Sequence, residues 1–189
     1  MYKYATQTLQ QALRVEPDNF AALIQLGIAY ASSKEYRAAV KVLERSLDIE
    51  SDSNAYLYLG LACMAIRDYD KALDSFQASV DNDPEFHEAY IGLGYCYAIF
   101  KNWKQGIISL KRAESLSPGH PEIHYLLGFM YLGDDDVPAA EREARKLSDI
   151  SSKWRGRKIA IYDERKLSEM SSELRTAISR YKSSRRRRS

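Results

Sequence analysis

Apolar positions recur along the chain in four short segments, each built around a glycine: LIQLGIAY, YLYLGLAC, YIGLGYCY and HYLLGFMY. The glycines Gly27, Gly60, Gly94 and Gly128 are separated by 33, 34 and 34 residues. Self-similarity with a period near 34 residues is typical of one helix–turn–helix unit repeated along the chain. Because such a unit buries its apolar face only against its neighbours, the pattern predicts a helical solenoid.

Each glycine segment is followed, at constant offsets, by small and large apolar residues that predict a second helix. These positions are Ala39, Leu43 and Ser46; Ala72, Phe76, Ser79 and Pro84; Gly106, Leu110, Ala113 and Pro118; and Ala140, Ala144 and Leu147. The spacing resembles the tetratricopeptide repeat (TPR) family over residues 2–150. The resemblance implies an all-α, right-handed α-solenoid of TPR helix–turn–helix units.

The units divide the chain into a half repeat and four full repeats. Residues 1–17 match only the second helix of a unit, and full units follow at 20–52, 53–86 and 87–120, with a divergent one at 121–152. Residues 153–182 carry an apolar stripe at spacings of 3 and 4, which predicts an amphipathic helix capping the array. Residues 183–189 are expected to form a mobile basic tail. For the uncovered half repeat, the sequence leaves truncation and self-association open.

The candidate binding surface follows from the resemblance, which implies that first helices line the concave face. The positions that it turns into this groove include Ala21, Ile24, Ile28, Asn54, Leu57, Leu61, Met64, Ile91, Tyr95, Ile99, Tyr125 and Phe129. Most are apolar, so we expect an apolar or helical segment of another protein to fill the groove. Two alternatives stay open: residues 159–181 occupy it, or neighbouring repeats bury these positions. Counted from the first residue of each full unit, the fifth and ninth positions hold no basic residue, which excludes a clamp for chaperone C-terminal carboxylates.

Charge is distributed unevenly between the repeats and the C-terminal end. Residues 1–150 carry 15 Lys/Arg against 22 Asp/Glu, whereas residues 151–189 carry 13 against 4. The chain ends in a basic tail that contains Arg185, Arg186, Arg187 and Arg188. We expect this tail to contact nucleic acid or anionic membrane only non-specifically.

Motifs for catalysis or cofactor binding are not found in the sequence, so we expect no enzymatic activity, no cofactor and no metal. His120 and His124 are four residues apart, but the sequence favours a loop residue and a packing residue over metal ligands. Cys63 and Cys96 fall on apolar helix faces, which is typical of free thiols in a reducing compartment. With no signal-peptide pattern, a cytoplasmic location is expected, and a nuclear one stays open.

The sequence therefore predicts a non-enzymatic scaffold or adaptor for protein–protein interaction. One alternative is a self-assembling TPR protein, a homo-oligomer that scaffolds a larger complex. Another is a secretion-type TPR chaperone, which would use the same groove for an extended client.

Overall fold

The computed structural model describes residues 2–153 and 164–187, and every element in these two ranges is an α-helix. The helices are α1 (Tyr2–Val15), α2 (Phe20–Ser32), α3 (Tyr36–Leu47), α4 (Ser53–Ala65), α5 (Tyr69–Asn82), α6 (His87–Ile99), α7 (Trp103–Leu116), α8 (Pro121–Gly133), α9 (Val137–Lys153) and α10 (Glu164–Arg186). The all-α fold predicted from the sequence is confirmed. The chain forms two compact units, Met1–Cys96 and Tyr97–Ser189.

In the first unit, glycines on the first helices allow the second helices to approach closely. A Cβ atom added to Gly60 would lie 2.6 Å from the ring of Phe76 on α5, and one added to Gly92 on α6 would lie equally close to it. Phe76 is fully buried at this contact of three helices. The recurring glycine is thus a packing requirement, which offsets the roughly 1 kcal/mol that glycine costs inside a helix.

The turns between first and second helices repeat with the same period as the glycines. Lys34, Arg67, Lys101 and Asp135 all have a positive φ, between 56° and 66°. The residue after each donates its backbone N–H to a carbonyl five residues earlier, as Asp68 does to Cys63 at 2.9 Å. This is the hydrogen-bond pattern of a Schellman motif, formed here with non-glycine residues at the left-handed position.

In the second unit, α10 packs on both α8 and α9, and the prediction of a capping helix is confirmed. The core of this contact consists of Leu132, Ala140, Ala144, Leu147, Leu167, Met170, Leu174 and Ile178. Leu174 lies against Gly128, where an added Cβ atom would collide with it. In the first unit, Leu43 and Phe76 of the second helices take this place against Gly27 and Gly60. The corresponding residue of α9 is Ala144, so α10 supplies the side chain that the fourth repeat lacks.

The predicted boundaries of the C-terminal region need two corrections. Helix α9 continues to Lys153, where the capping helix was expected to begin, and residues 154–163 lie outside the described part of the chain. Helix α10 continues to Arg186, so residues 183–186, which were expected to belong to a mobile tail, are helical. Near this end of the helix, Arg185 pairs with Asp135 at 2.6 Å.

Candidate functional site

The first unit contains a groove of about 440 Å³ between α2 and α4, which we call the first-helix groove. Its lining is formed by Phe20, Ala21, Ile24, Gln25, Ile28, Asp52, Asn54 and Tyr58. Four of these residues, Ala21, Ile24, Ile28 and Asn54, stand at positions that the TPR resemblance turns into a binding groove. The structure brings them together on adjacent helices.

The first-helix groove combines an apolar surface with hydrogen-bonding groups. Phe20 and Ile28 are half-buried and offer apolar area, whereas Gln25 and Asn54 are exposed amides. Asp52 caps α4, because its Oδ1 accepts the backbone N–H of Ala55 at 2.8 Å. An apolar segment bound here would find partners for its own backbone N–H and C=O groups.

Burial limits what the predicted groove residue at the fifth position offers a partner in the first three full repeats. Ile24, Leu57 and Ile91 are only 8%, 8% and 7% exposed, because the chain itself packs against them. The alternative in which neighbouring helices bury the lining therefore holds at these three positions. What Ile24 offers a partner is limited to the edge that it presents to the first-helix groove.

Other predicted groove residues of the first unit keep part of their surface. Leu61 is 46% exposed, whereas Met64 and Tyr95 are half-buried. The Met64 Sδ atom lies 3.7 Å from the Cys96 Sγ atom, so Met64 also serves the core. These residues do not line the first-helix groove, and their role in binding stays a prediction.

In the second unit, α10 covers part of the predicted surface. Tyr125 and Phe129 pack against the α10 core, and the Tyr125 hydroxyl donates to Glu173 Oε2 at 2.9 Å. Burial and this hydrogen bond raise the pKa of Tyr125 to about 12. Ile99 remains 41% exposed. Two of the three residues predicted here are thus occupied by the chain's own C-terminal helix.

Sequence reasoning missed Phe20, Gln25, Asp52 and Tyr58. Gln25 and Tyr58 occupy the sixth offset, one residue beyond the fifth, and Phe20 begins its helix. Asp52 was recognisable only as a helix cap. The available signal was the helical period, which places the second, sixth and ninth offsets on one side of the helix.

A buried ion network lies in the second unit, at the contact of α7, α8 and α9. Glu143 and His124 are 3% and 4% exposed, and Glu143 Oε2 lies 2.8 Å from His124 Nδ1. Lys146 Nζ donates to Glu114 Oε1 at 2.9 Å and to Glu143 Oε1 at 3.1 Å. Lys111 Nζ donates to the other oxygen of Glu114 at 2.8 Å.

The lysines keep both carboxylates of the network ionised. Burial raises the pKa of Glu114, but its hydrogen bonds to Lys111 and Lys146 outweigh burial and hold it at about 2. For Glu143, burial is likewise outweighed, here by hydrogen bonds to His124 and Lys146, and the pKa is lowered.

The same network is the candidate for a cation site among the described residues. One ligand atom each from Glu114, His124 and Glu143 lies within 4.8 Å of the others. The ammonium groups of Lys111 and Lys146 already supply the positive charge that these carboxylates need. A metal ion would have to displace them, so the geometry fits a structural ion network.

Two basic residues at the C-terminal end form ion pairs with the second unit. Lys182 pairs with Glu141, and Arg185 pairs with Asp135. Arg186 and Arg187 end the described part of the chain, and Arg188 lies outside it.

Cys63 and Cys96 are buried free thiols, as the sequence predicts. Among the described helices, none combines the length and apolarity that crossing a bilayer requires.

Models of the tetratricopeptide repeat match residues 1–62 and residues 57–121. The chain belongs to the tetratricopeptide repeat family. Among curated TPR relatives, the BBSome complex member BBS4 homolog of Drosophila melanogaster is 25% identical over 141 residues, which is 74% of this chain and 29% of that protein. This TPR chain spans less than a third of the length of the curated relatives it matches.

Two solved structures show the same fold. A crystal structure of MamA superposes with a TM-score of 0.78 at 22% identity and covers 82% of this chain and 91% of that one. The structure of YrrB, described as a TPR protein with an unusual peptide-binding site, superposes with a TM-score of 0.70 at 21% identity, covering 79% of this chain and 77% of its own. At these identities the likeness establishes the fold alone.

Proposed function

We propose that this TPR chain is a non-enzymatic adaptor that holds an apolar segment of another protein in the first-helix groove. The observation that carries the proposal is the mixed lining of that groove, in which half-buried Phe20 and Ile28 lie beside the amides of Gln25 and Asn54. Burial of apolar side chains would supply affinity, and the amides would pair with the bound backbone. The peptide-binding site named for YrrB gives a precedent on this fold.

The bound segment should carry a hydrogen-bond donor or a cation near one end. Asp52 is the charged residue of the lining, and the first unit as a whole is acidic, with 8 Lys/Arg against 14 Asp/Glu in residues 1–96. An apolar segment flanked by Lys or Arg would therefore be favoured over one flanked by Asp or Glu.

A random peptide library tests this proposal, because it offers the groove apolar segments with many different flanks. Peptides selected on the full chain should be apolar with a basic flank, and a synthetic copy should bind in a fluorescence polarisation assay. Ala21→Lys places a positive charge in the groove at an exposed position, where it would repel the expected basic flank of the peptide. This variant should weaken binding at least about tenfold.

The matched control is Ile108→Lys, which changes a residue that is 61% exposed and lies outside the groove, on α7. Circular dichroism should remain helical for both variants. If no peptide is selected, or if Ile108→Lys weakens binding as much as Ala21→Lys does, the first-helix groove is not the binding site.

A second candidate function, self-assembly, is favoured by the open face of α1. Ala39 and Ala72 of the full repeats are completely buried, whereas Ala5 at the same offset is exposed. Tyr4 and Val15 on the same helix are 78% and 82% exposed. We propose that a second copy covers this face. Light scattering should then give a mass above that of the monomer, and Val15→Glu should lower it. A monomer at every concentration would refute this candidate.

A further inference from the structure

A second groove, of about 340 Å³, lies between the C-terminal half of α9 and α10, and we call it the hydroxyl groove. It is lined by Ser148, Ser151, Ser152, Ser168, Ser171, Ser172, Arg175 and Thr176. Seven of these eight side chains carry a hydroxyl, and the eighth carries a guanidinium. The set is therefore rich in hydrogen-bond donors and has a single charge, which is positive.

The hydroxyl groove is unsuited to another apolar helix. In the first unit, the first helix α4 packs against its neighbouring helices through small or apolar residues such as Gly60 and Cys63, and both are buried. On α10, by contrast, the side chains that line the hydroxyl groove include Ser168, Ser172 and Arg175, and all three are exposed. Because burying these groups without hydrogen-bond partners would be unfavourable, an occupant must itself offer several acceptors.

Ser171 is the residue that points to a ligand. It is only 7% exposed, lines the hydroxyl groove and makes no hydrogen bond with any described residue. The Ser171 side chain is thus mostly enclosed, but its oxygen still reaches the groove, where it can pair with a bound molecule. A ligand oxygen in the groove would complete this pairing.

Arg175 is held at the groove by α9. Its Nη2 atom donates to the Ser148 hydroxyl at 2.7 Å, which leaves the other N–H groups of the guanidinium available. The carboxylates of α10 nearest in sequence are engaged elsewhere. Glu169 pairs with Arg165 at 3.0 Å, and Glu173 accepts from Tyr125 at 2.9 Å. Within the described part of the chain, no carboxylate lines the groove to repel an anion.

We propose that the hydroxyl groove binds a phosphate group, which this chain recognises through Arg175, Ser171 and the flanking hydroxyls. A phosphate offers several acceptor oxygens and a negative charge, so it matches a guanidinium surrounded by hydroxyl donors. The groove has room for more than the phosphate alone, so a phosphorylated side chain of a peptide and inorganic phosphate are both accommodated. The proposal is independent of the first-helix groove, which lies in the other unit.

The test is a titration of the ¹⁵N-labelled full chain followed by amide chemical shifts, with sodium chloride at equal ionic strength as the reference. Inorganic phosphate is one probe, and a phosphoserine peptide with its unphosphorylated form is the other pair. We expect saturable shifts in α9 and α10 with a phosphorylated probe. Tighter binding of the phosphopeptide would identify a protein ligand, and equal or weaker binding would identify the free anion.

Three variants make the result specific. Arg175→Gln should weaken phosphate binding about tenfold or more, the factor expected for one hydrogen bond to a charged group. Arg180→Gln is the matched control, since Arg180 is an exposed arginine of the same helix that does not line the groove. Ser171→Ala should leave the melting temperature unchanged or higher without phosphate, and should remove the rise that phosphate causes in the wild-type chain.

Either of two results would overturn the proposal. The first is that phosphate and chloride shift the amides of α9 and α10 equally. The second is that Arg180→Gln weakens binding as much as Arg175→Gln, because the effect would then be general electrostatic attraction.

Discussion

Helix α10 supplies, through Leu174, a large side chain that the second helix supplies in other repeats, and this substitution leads to a prediction about stability. Leu174 is completely buried against Gly128, at the place that Leu43 or Phe76 takes in a repeat of the first unit. Ala144 stands at the corresponding position of α9 and is 4% exposed. If Leu174 substitutes for the missing side chain, moving the leucine back to α9 should partly restore the packing.

The expected magnitudes follow from the volumes involved. Leu174→Ala removes three buried carbon atoms and should cost about 2–5 kcal/mol. Ala144→Leu alone overfills the same space and should cost about 1–3 kcal/mol. In the double variant the new leucine occupies the cavity, so its loss should be smaller than the sum of the two by about 0.5–3 kcal/mol.

The assay is equilibrium urea denaturation followed by circular dichroism, together with hydrogen exchange of the α8, α9 and α10 amides. Hydrogen exchange is needed because the two units need not unfold together. The matched control is Leu110→Ala, a fully buried leucine of α7 outside the α10 core, which should show no favourable coupling with Ala144→Leu. If the losses of Leu174→Ala and Ala144→Leu simply add, Leu174 does not substitute for the residue missing from α9.

Three further predictions concern acid stability, thiol reactivity and the turns. Folding lowers the pKa of Glu114 from 4.5 to about 2, so the stability that this carboxylate contributes is complete above pH 4.5 and is lost as the pH falls toward 2. Glu114→Gln should make the urea midpoint less dependent on pH over that range, whereas Glu85→Gln should not. Burial raises the pKa of Cys63 to about 11 and that of Cys96 to about 12, so Ellman's reagent should react at least about 100-fold more slowly with the native chain than in urea, and fast native reaction would contradict this. Arg67 has a φ of 65°, so Arg67→Gly should raise the free energy of unfolding by up to about 1 kcal/mol and Arg67→Val should lower it, whereas the reverse order would show that the turn relaxes.

Much of the architecture was predictable because close packing leaves a strong mark on sequence. Gly60 meets the ring of Phe76, and a larger residue at that glycine would displace it. The turns left a weaker mark. A left-handed residue usually appears as glycine or asparagine, but here Lys34, Arg67 and Lys101 take that conformation and carry no such signal.

The capping helix was predictable, but its role in the fourth repeat was not. The apolar stripe through Leu167 and Leu174 indicates an amphipathic helix, yet nothing local shows that Leu174 reaches Gly128. The small residue at Ala144 was the available clue, since a space beside it must be filled from elsewhere. The ion network was hidden for a similar reason, because Glu143 reads as a surface charge until His124 and Lys146 lie beside it.

The first-helix groove was only partly predictable because adjacent positions of one helix serve different purposes. Leu57 at the fifth offset is 8% exposed and belongs to the packing between helices, whereas Asn54, three residues earlier, is exposed and lines the groove. Family membership indicates which helices bind, but burial decides which of their side chains remain available.

This division predicts opposite effects for two substitutions on α4. Leu57→Ala should lower the free energy of unfolding by about 2–4 kcal/mol, because the side chain is buried between helices. Asn54→Ala should change stability by less than about 0.5 kcal/mol, since the residue is exposed, but should weaken a peptide selected on the first-helix groove. Urea denaturation and fluorescence polarisation on the same two proteins measure both quantities. A loss of stability with Asn54→Ala, or unchanged peptide affinity, would mean that the amide supports the fold and not the bound segment.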